Sequence, residues 1–245
     1  AKGFPGVILS IYGDVSLVPP QIIEDMWEHH LRTEAQCTLL SADLPGTVYG
    51  KIIRNSEGKV KEIIEPRGLI LPPEIEGITE INVGVYLFAA PLVFDYLEKV
   101  GCDNPQGEYY LTDVVKLLYE DGYNTQAIKL PHSWMARGIN DRKDLVEVTR
   151  IMREQIIERL LENGVTVEDP QNTYIEAEVE IENDVTIHPF TFLKGKTKIA
   201  TGCEIGPFAY IEDSEIGEGA SIIASFVRQA KIGKRCKIGP FTQLR

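Results

Sequence analysis

Ile175, Ile181, Ile187, Leu193, Ile199, Ile205 and Ile211 recur every six residues without interruption, and nothing else in the chain limits its fold so tightly. Four places after each of the first six stands a small residue: Val179, Val185, Thr191, Thr197, Cys203 and Ala209. A six-residue period matches neither the helix repeat of 3.6 nor the strand repeat of 2, and it is a signature of stacked coils. Three such units close one triangular coil of roughly 18 residues, with aliphatic side chains inside and small residues at the corners. Residues 175–245 therefore predict about four coils. The phase slips by one at Ile216, recovers through Ala220 and Ile222, and resumes at Ile232, Cys236, Ile238, Thr242 and Leu244. Cys203 and Cys236 fall on the small positions, so both read as packing residues.

Upstream of the repeat the pattern is that of an α/β domain. Residues 7–12, VILSIY, form an apolar run closed by Gly13 and Asp14, which predicts a strand of a parallel sheet buried on both faces. Pro19 and Pro20 precede QIIEDMWEHHLR, whose apolar residues fall at helical spacing. Further strands are expected at 37–42, 80–88 and 126–130, a hairpin in KIIRNSEGKVKEIIE, and a helix over 113–120. A long helix is expected from Asn140 to Asn163, with Leu145, Thr149, Met152, Ile156 and Leu160 on its apolar stripe. AKGFPGVILS enters the first strand with no leading helix, so the chain is expected to begin inside a domain.

The charge balance narrows the function. With 25 Lys and Arg against 37 Asp and Glu, the formal charge of −12 disfavours nucleic acid and anionic membrane as partners. Four dispersed cysteines, with no signal peptide and no apolar run of membrane-spanning length, point to a reducing cytoplasm. Asp14, at a strand's carboxyl end behind a glycine, suits a hard cation such as Mg²⁺ or a turn. Asn140 stands where the long helix starts and reads as an N-cap or an amide ligand. His29 and His30 have no metal-ligand partner at fixed spacing and read as helix residues.

YGDVSL at 12–17, VYGKI at 48–52, IIEP at 63–66, EINVGVY at 80–86, QGEYYLTD at 106–113 and GINDRKDL at 138–145 occur in this order before the repeat. Together they resemble the uridylyltransferase half of the bacterial bifunctional enzymes that make UDP-N-acetylglucosamine. The resemblance implies an α/β nucleotidyltransferase domain over 1–140, with a Rossmann-like mixed sheet that is incomplete, and a linker helix over 141–164. It also implies a left-handed parallel β-helix over 165–245, and a homotrimer. It implies transfer from UTP to N-acetylglucosamine 1-phosphate with release of pyrophosphate, and, in the parent enzyme, acetylation of glucosamine 1-phosphate by acetyl-CoA.

Carried over by position, Asp14 and Asn140 resemble the Mg²⁺ ligands, and Tyr12 and Gly13 line the sugar nucleotide. Gly50, Glu65 and Asn82 match residues that hold the N-acetylglucosamine, and Arg245 matches a contact to sugar phosphate in the acetyltransferase site. Val83 departs from the threonine frequent in the family. The family's glycine-rich phosphate loop and its acetyltransferase histidine have no counterpart in the sequence, so the chain alone is expected to be inactive. Tyr109 and Tyr110 could touch the sugar or anchor their loop. Competing readings are an ADP-, UDP- or dTDP-glucose enzyme, or a non-catalytic assembly module built on the same two domains.

Overall fold

The computed structural model describes residues 3–46, 49–66, 71–104 and 106–245. Val48 of the VYGKI segment lies outside them. The chain divides into two compact units, Ala1–Val148 and Thr149–Arg245.

In the first unit the elements run β1 (Val7–Ile11), α1 (Pro20–Arg32), β2 (Cys37–Asp43), β3 (Lys51–Arg54), β4 (Val60–Ile64), α2 (Pro73–Glu76), β5 (Glu80–Ala89), α3 (Ala90–Leu97), α4 (Thr112–Glu120) and β6 (Thr125–Lys129). A 3-10 turn at Ser133–Ala136 precedes α5 (Arg142–Glu162). The strands form one mixed sheet in the order β4-β3-β5-β2-β6, with β1 also on β5. β2 and β6 are parallel, while β5 is antiparallel to β1, β2 and β3.

Strand periodicity divides the core between the sheet's two sides. Leu39, Tyr86 and Phe88 pack with Val93, Tyr96, Val114, Val115 and Leu118 of α3 and α4. Their sequence neighbours Leu40, Val85 and Leu87 pack with Met26 of α1 and with Met135. One expectation fails here. β1 is neither parallel nor buried on both sides: it pairs antiparallel with β5, and Leu9 and Ile11 are 44% and 48% exposed. An unbroken apolar run specifies an extended segment but not its partner's direction or what covers each face.

The second unit is a left-handed parallel β-helix. Among the described residues it has 14 short strands between Thr166 and Leu244, in parallel sheets of five, five and four. Ile187, Leu193, Ile199, Ile205, Ile211, Ile222 and Val227 fill the interior. Parallel partners Thr186 and Glu204 are 18 residues apart, Glu204 and Ser221 are 17, and Ser221 and Lys237 are 16. The phase slip in the sequence is thus three sides shortened to five residues, ending on Ile216, Val227 and Ile232. Asp213, Ala224 and Gln229 turn these corners in the left-handed backbone region, at φ 49°, 44° and 47°. Ile157 and Leu160 of α5, with Val165, join the same core and close the end of the stack.

The buried positions of α5 are Val148, Ile151, Ile157 and Leu160, whereas Leu145 and Met152 are 50% and 43% exposed. The expected stripe holds at its carboxyl end, where Leu160 is buried and Ile156 packs against the β-helix core, and fails at Leu145, Thr149 and Met152. Residues of the helix belong to both units, so no single apolar face governs its length.

Candidate active site

A cleft of about 580 Å³ opens in the first unit, within the range usual for small-molecule sites. Its lining includes Tyr12, Asp14, Gly50, Glu65, Asn82 and Asn140. Six residues scattered between positions 12 and 140 of the sequence thus face one space. Gly13 is exposed and Arg245 is an exposed residue of the second unit, and neither is among the lining residues. Tyr109 and Tyr110 also lie outside the lining. Their loop is braced internally instead. Asn104 Oδ1 accepts from the backbone N–H groups of Gln106 and Glu108 at 3.2 Å, and the Tyr110 hydroxyl donates to Gln106 Oε1 at 3.0 Å.

Asp14 follows β1 and is joined to the segment before α5 by an antiparallel bridge between Val15 and Gly138. Ile139 N–H donates to the Asp14 carbonyl at 3.2 Å. A Cβ on Gly138 would stand 2.9 Å from Asp14 Oδ2, so glycine is what lets the strand carrying Asn140 pass beside that carboxylate. The cap of α5 is Asp141, not Asn140. Its Oδ1 accepts from Lys143 and Asp144 N–H at 2.7 and 2.9 Å, while Asp144 Oδ2 accepts from Asn140 and Asp141 N–H at 2.9 and 3.3 Å. The two aspartates form a reciprocal capping box, which relieves Asn140 of the expected cap. The Asn140 N–H foremost, with Asp141 and the Asn140 side chain, holds the Asp144 carboxyl below its ordinary pKa.

On the other side of the cleft, β3 and β5 set the floor. Asn82 N–H donates to the Gly50 carbonyl at 2.8 Å. A Cβ on Gly50 would meet Glu65 Oε1 at 2.8 Å and Ile63 Cγ2 at 2.9 Å, so a side chain there would push Glu65 aside. Asn82 is 7% exposed; its Nδ2 donates to the Tyr86 hydroxyl at 2.6 Å and its Oδ1 accepts from Gly84 N–H at 3.2 Å. Tyr12 OH lies 3.4 Å from Tyr86 OH. Burial, and then Tyr12, raise the Tyr86 pKa well above its usual value, keeping the phenol neutral.

Tyr49, Asp144 and Tyr86 are the site's unforeseen members. Tyr49 and Asp144 line the cleft, and the Tyr49 hydroxyl accepts from Gly138 N–H at 3.3 Å. The Asp-x-x-Asp spacing at 141–144 was a legible sign of the capping box; no local pattern marks Tyr86 as a partner of Asn82.

Among the described residues that line the cleft are three carboxylates and no Lys or Arg. Asp14 and the Asn140 amide offer hard oxygen donors, and no group of three or more His, Cys, Asp or Glu among the described residues could cage a metal. That composition fits Mg²⁺, which takes one or two protein ligands and fills its octahedron with water and substrate phosphate.

No protein-family model matches the chain. It is 41% identical over 242 residues to the bifunctional protein GlmU of Geobacillus sp. (strain WCH70), covering 98% of this chain and 52% of that protein. It is 39% identical over 245 residues to GlmU of Clostridium novyi (strain NT), covering 100% and 53%. With GlmU of Geobacillus thermodenitrificans (strain NG80-2) it shares 41% over 246 residues, again 100% and 53%. The chain spans about half the length of the curated relatives it matches. Over that half it belongs with the bifunctional GlmU proteins.

Proposed function

We propose that the cleft is the metal and sugar side of a nucleotidyl-transfer site, in which UTP and N-acetylglucosamine 1-phosphate give UDP-N-acetylglucosamine and pyrophosphate. The observation that carries this reading is the meeting of Asp14, Asn140, Gly50, Glu65 and Asn82 around one space. In the transfer a phosphate oxygen of the sugar 1-phosphate attacks the α-phosphorus of UTP. The bond to the bridging oxygen breaks, and pyrophosphate leaves with the electron pair. When bound, Mg²⁺ supplies neutralisation of the charge on the phosphates. Asp14 and Asn140 would hold it. Glu65 accepts hydrogen bonds from sugar hydroxyls, Asn82 pairs with the acetamido group, and Gly50 leaves the room that both need.

UTP and sugar 1-phosphates are intracellular metabolites, so the same reading puts the protein in the cytoplasm, a compartment that suits its four free thiols. No helix among the described residues is long and apolar enough to cross a membrane. Acetyl-CoA-dependent acetylation belongs, on this reading, to the longer relatives, where Arg245 would meet sugar phosphate. Association of three copies through the β-helix completes the proposal.

The test is calorimetric titration of the chain with UDP-N-acetylglucosamine and with UDP-glucose, with and without Mg²⁺. Saturable binding that needs Mg²⁺, prefers the acetamido sugar and is lost in Asp14→Asn supports the reading. Equal affinity for both would favour a glucose-1-phosphate enzyme, consistent with Val83 in the lining, and no binding would set the reading aside.

A further inference from the structure

Asn82 and Tyr86 are four residues apart on one strand, yet their side chains touch at 2.6 Å. In a regular strand such residues share a face with Cα atoms about 13 Å apart, at 3.2–3.4 Å per residue. The strand is irregular here. β2 pairs Leu39 with Tyr86 but Ser41 with Asn82, so three residues of β5 oppose one of β2. In their midst Gly84 takes φ +85°, where a Cβ would lie 2.4 Å from the Tyr12 ring. The bulge shortens the strand and turns the two side chains toward each other, as bulges near sites do.

The contact also settles which way the Asn82 amide faces. Gly84 N–H can only donate, so the atom it meets at 3.2 Å is Oδ1, and the atom on the Tyr86 hydroxyl is Nδ2. One amide N–H and one carbonyl lone pair of Asn82 remain. An acetamido group is a trans secondary amide whose C=O and N–H point opposite ways, so the Asn82 N–H takes its carbonyl alone. The acetamido carbonyl oxygen stands three bonds from its ring carbon and a 2-hydroxyl oxygen only one, so a hydroxyl falls short of the N–H that the carbonyl meets, and a buried amide left unpaired discriminates strongly.

We propose that Tyr86 is a positioning residue for specificity: its buried hydroxyl locks the Asn82 amide in the one orientation that pairs with an acetamido group. Tyr86 is fully buried, stacks on Phe88 at 5.4 Å between ring centroids, and touches Tyr12 through its hydroxyl, so it has no freedom to release Asn82. It acts through Asn82 and does not touch the sugar. The inference rests on the sugar-binding reading of the cleft given above.

Tyr86→Phe removes the hydroxyl and keeps the ring on Phe88. Binding of N-acetylglucosamine 1-phosphate and of glucose 1-phosphate to the full chain with Mg²⁺ is measured by ligand-detected NMR. The wild-type chain is expected to prefer the acetamido sugar, and Tyr86→Phe to lose about tenfold of that preference, with glucose 1-phosphate affinity unchanged. In Asn82→Ala, adding Tyr86→Phe should change nothing more. A wild-type preference that survives intact in Tyr86→Phe overturns the positioning role alone. An equal loss for both sugars, or a further loss in the Asn82→Ala background, shows a merely structural hydroxyl and also overturns it. A wild-type chain with no preference removes the sugar reading itself, and this inference with it.

Discussion

Gly84 and Gly13 flank the same tyrosine and differ in what a methyl group would meet. At Gly84 it would strike the Tyr12 ring at 2.4 Å on a backbone with φ +85°, whereas Gly13 has open space. Gly84→Ala is expected to lower unfolding free energy by about 1–3 kcal/mol, and Gly13→Ala by less than about 0.5, in urea denaturation. His30 gives a second test. It is 3% exposed with Nδ1 2.8 Å from the Thr38 hydroxyl, and burial, then the neighbouring His29, lower its pKa. The folded imidazole binds fewer protons than the unfolded one, so its contribution is intact above about pH 6.5 and is lost as pH falls below it. Stability measured from pH 7.5 to 5.5 should decline, and His30→Gln should flatten that slope. For chemistry, Asp14→Asn in a turnover-competent relative should cut kcat by about 10²–10³ with a smaller change in KM, read across a Mg²⁺ titration. At this scale the sequence was informative where a motif names the residue, as with Asp14, Glu65 and Asn82. It was silent on Tyr86, whose role depends on a bulge that no propensity encodes.

The β-helix shows the complementary case, since its interior was readable from a single period. Each coil buries the same kind of residue at the same step, so local pattern and tertiary contact coincide. The pattern lost Val227 and Val167, both buried, because a shortened side and an inserted loop break the spacing without breaking the stack. α5 was legible as a helix and in the core contacts of Ile156 and Leu160, but not in the buried face of its first half, for its neighbours change along its length. Leu160 is the sharpest probe of that helix. It is 4% exposed within the β-helix core, so Leu160→Ala should cost about 2–5 kcal/mol, seen as earlier melting of the β-helix in thermal denaturation. β1 carries the opposite lesson, an apolar run whose direction of pairing and whose cover the residues themselves do not encode.

Across the whole molecule, the three faces of the β-helix differ in a way that bears on assembly. One carries the cross-strand ladder Tyr174, Phe192, Tyr210 and Phe226, with ring centroids 4.8, 6.2 and 5.7 Å apart. Another alternates Glu180, Lys198, Glu215 and Lys231, whose ion pairs are satisfied within the chain. An aromatic face suits contact between copies better than a charged one already paired. Sedimentation at micromolar concentration should give a trimer, and Phe192→Ser with Phe226→Ser should weaken it; a wild-type monomer would count against trimer formation. The cleft, on the proposed reading, supplies a metal and sugar side, and among the described residues its lining holds no Lys or Arg to cradle a triphosphate, so the chain alone should release no pyrophosphate from UTP above background. The most direct test of the central claim is therefore occupancy and not turnover. Backbone amide shifts of the isotope-labelled chain are followed as N-acetylglucosamine 1-phosphate is added with Mg²⁺. Sugar binding in the cleft requires saturable shifts clustered at Asp14, Gly50, Asn82 and Asn140; shifts confined to the β-helix, or none that saturate, would contradict it.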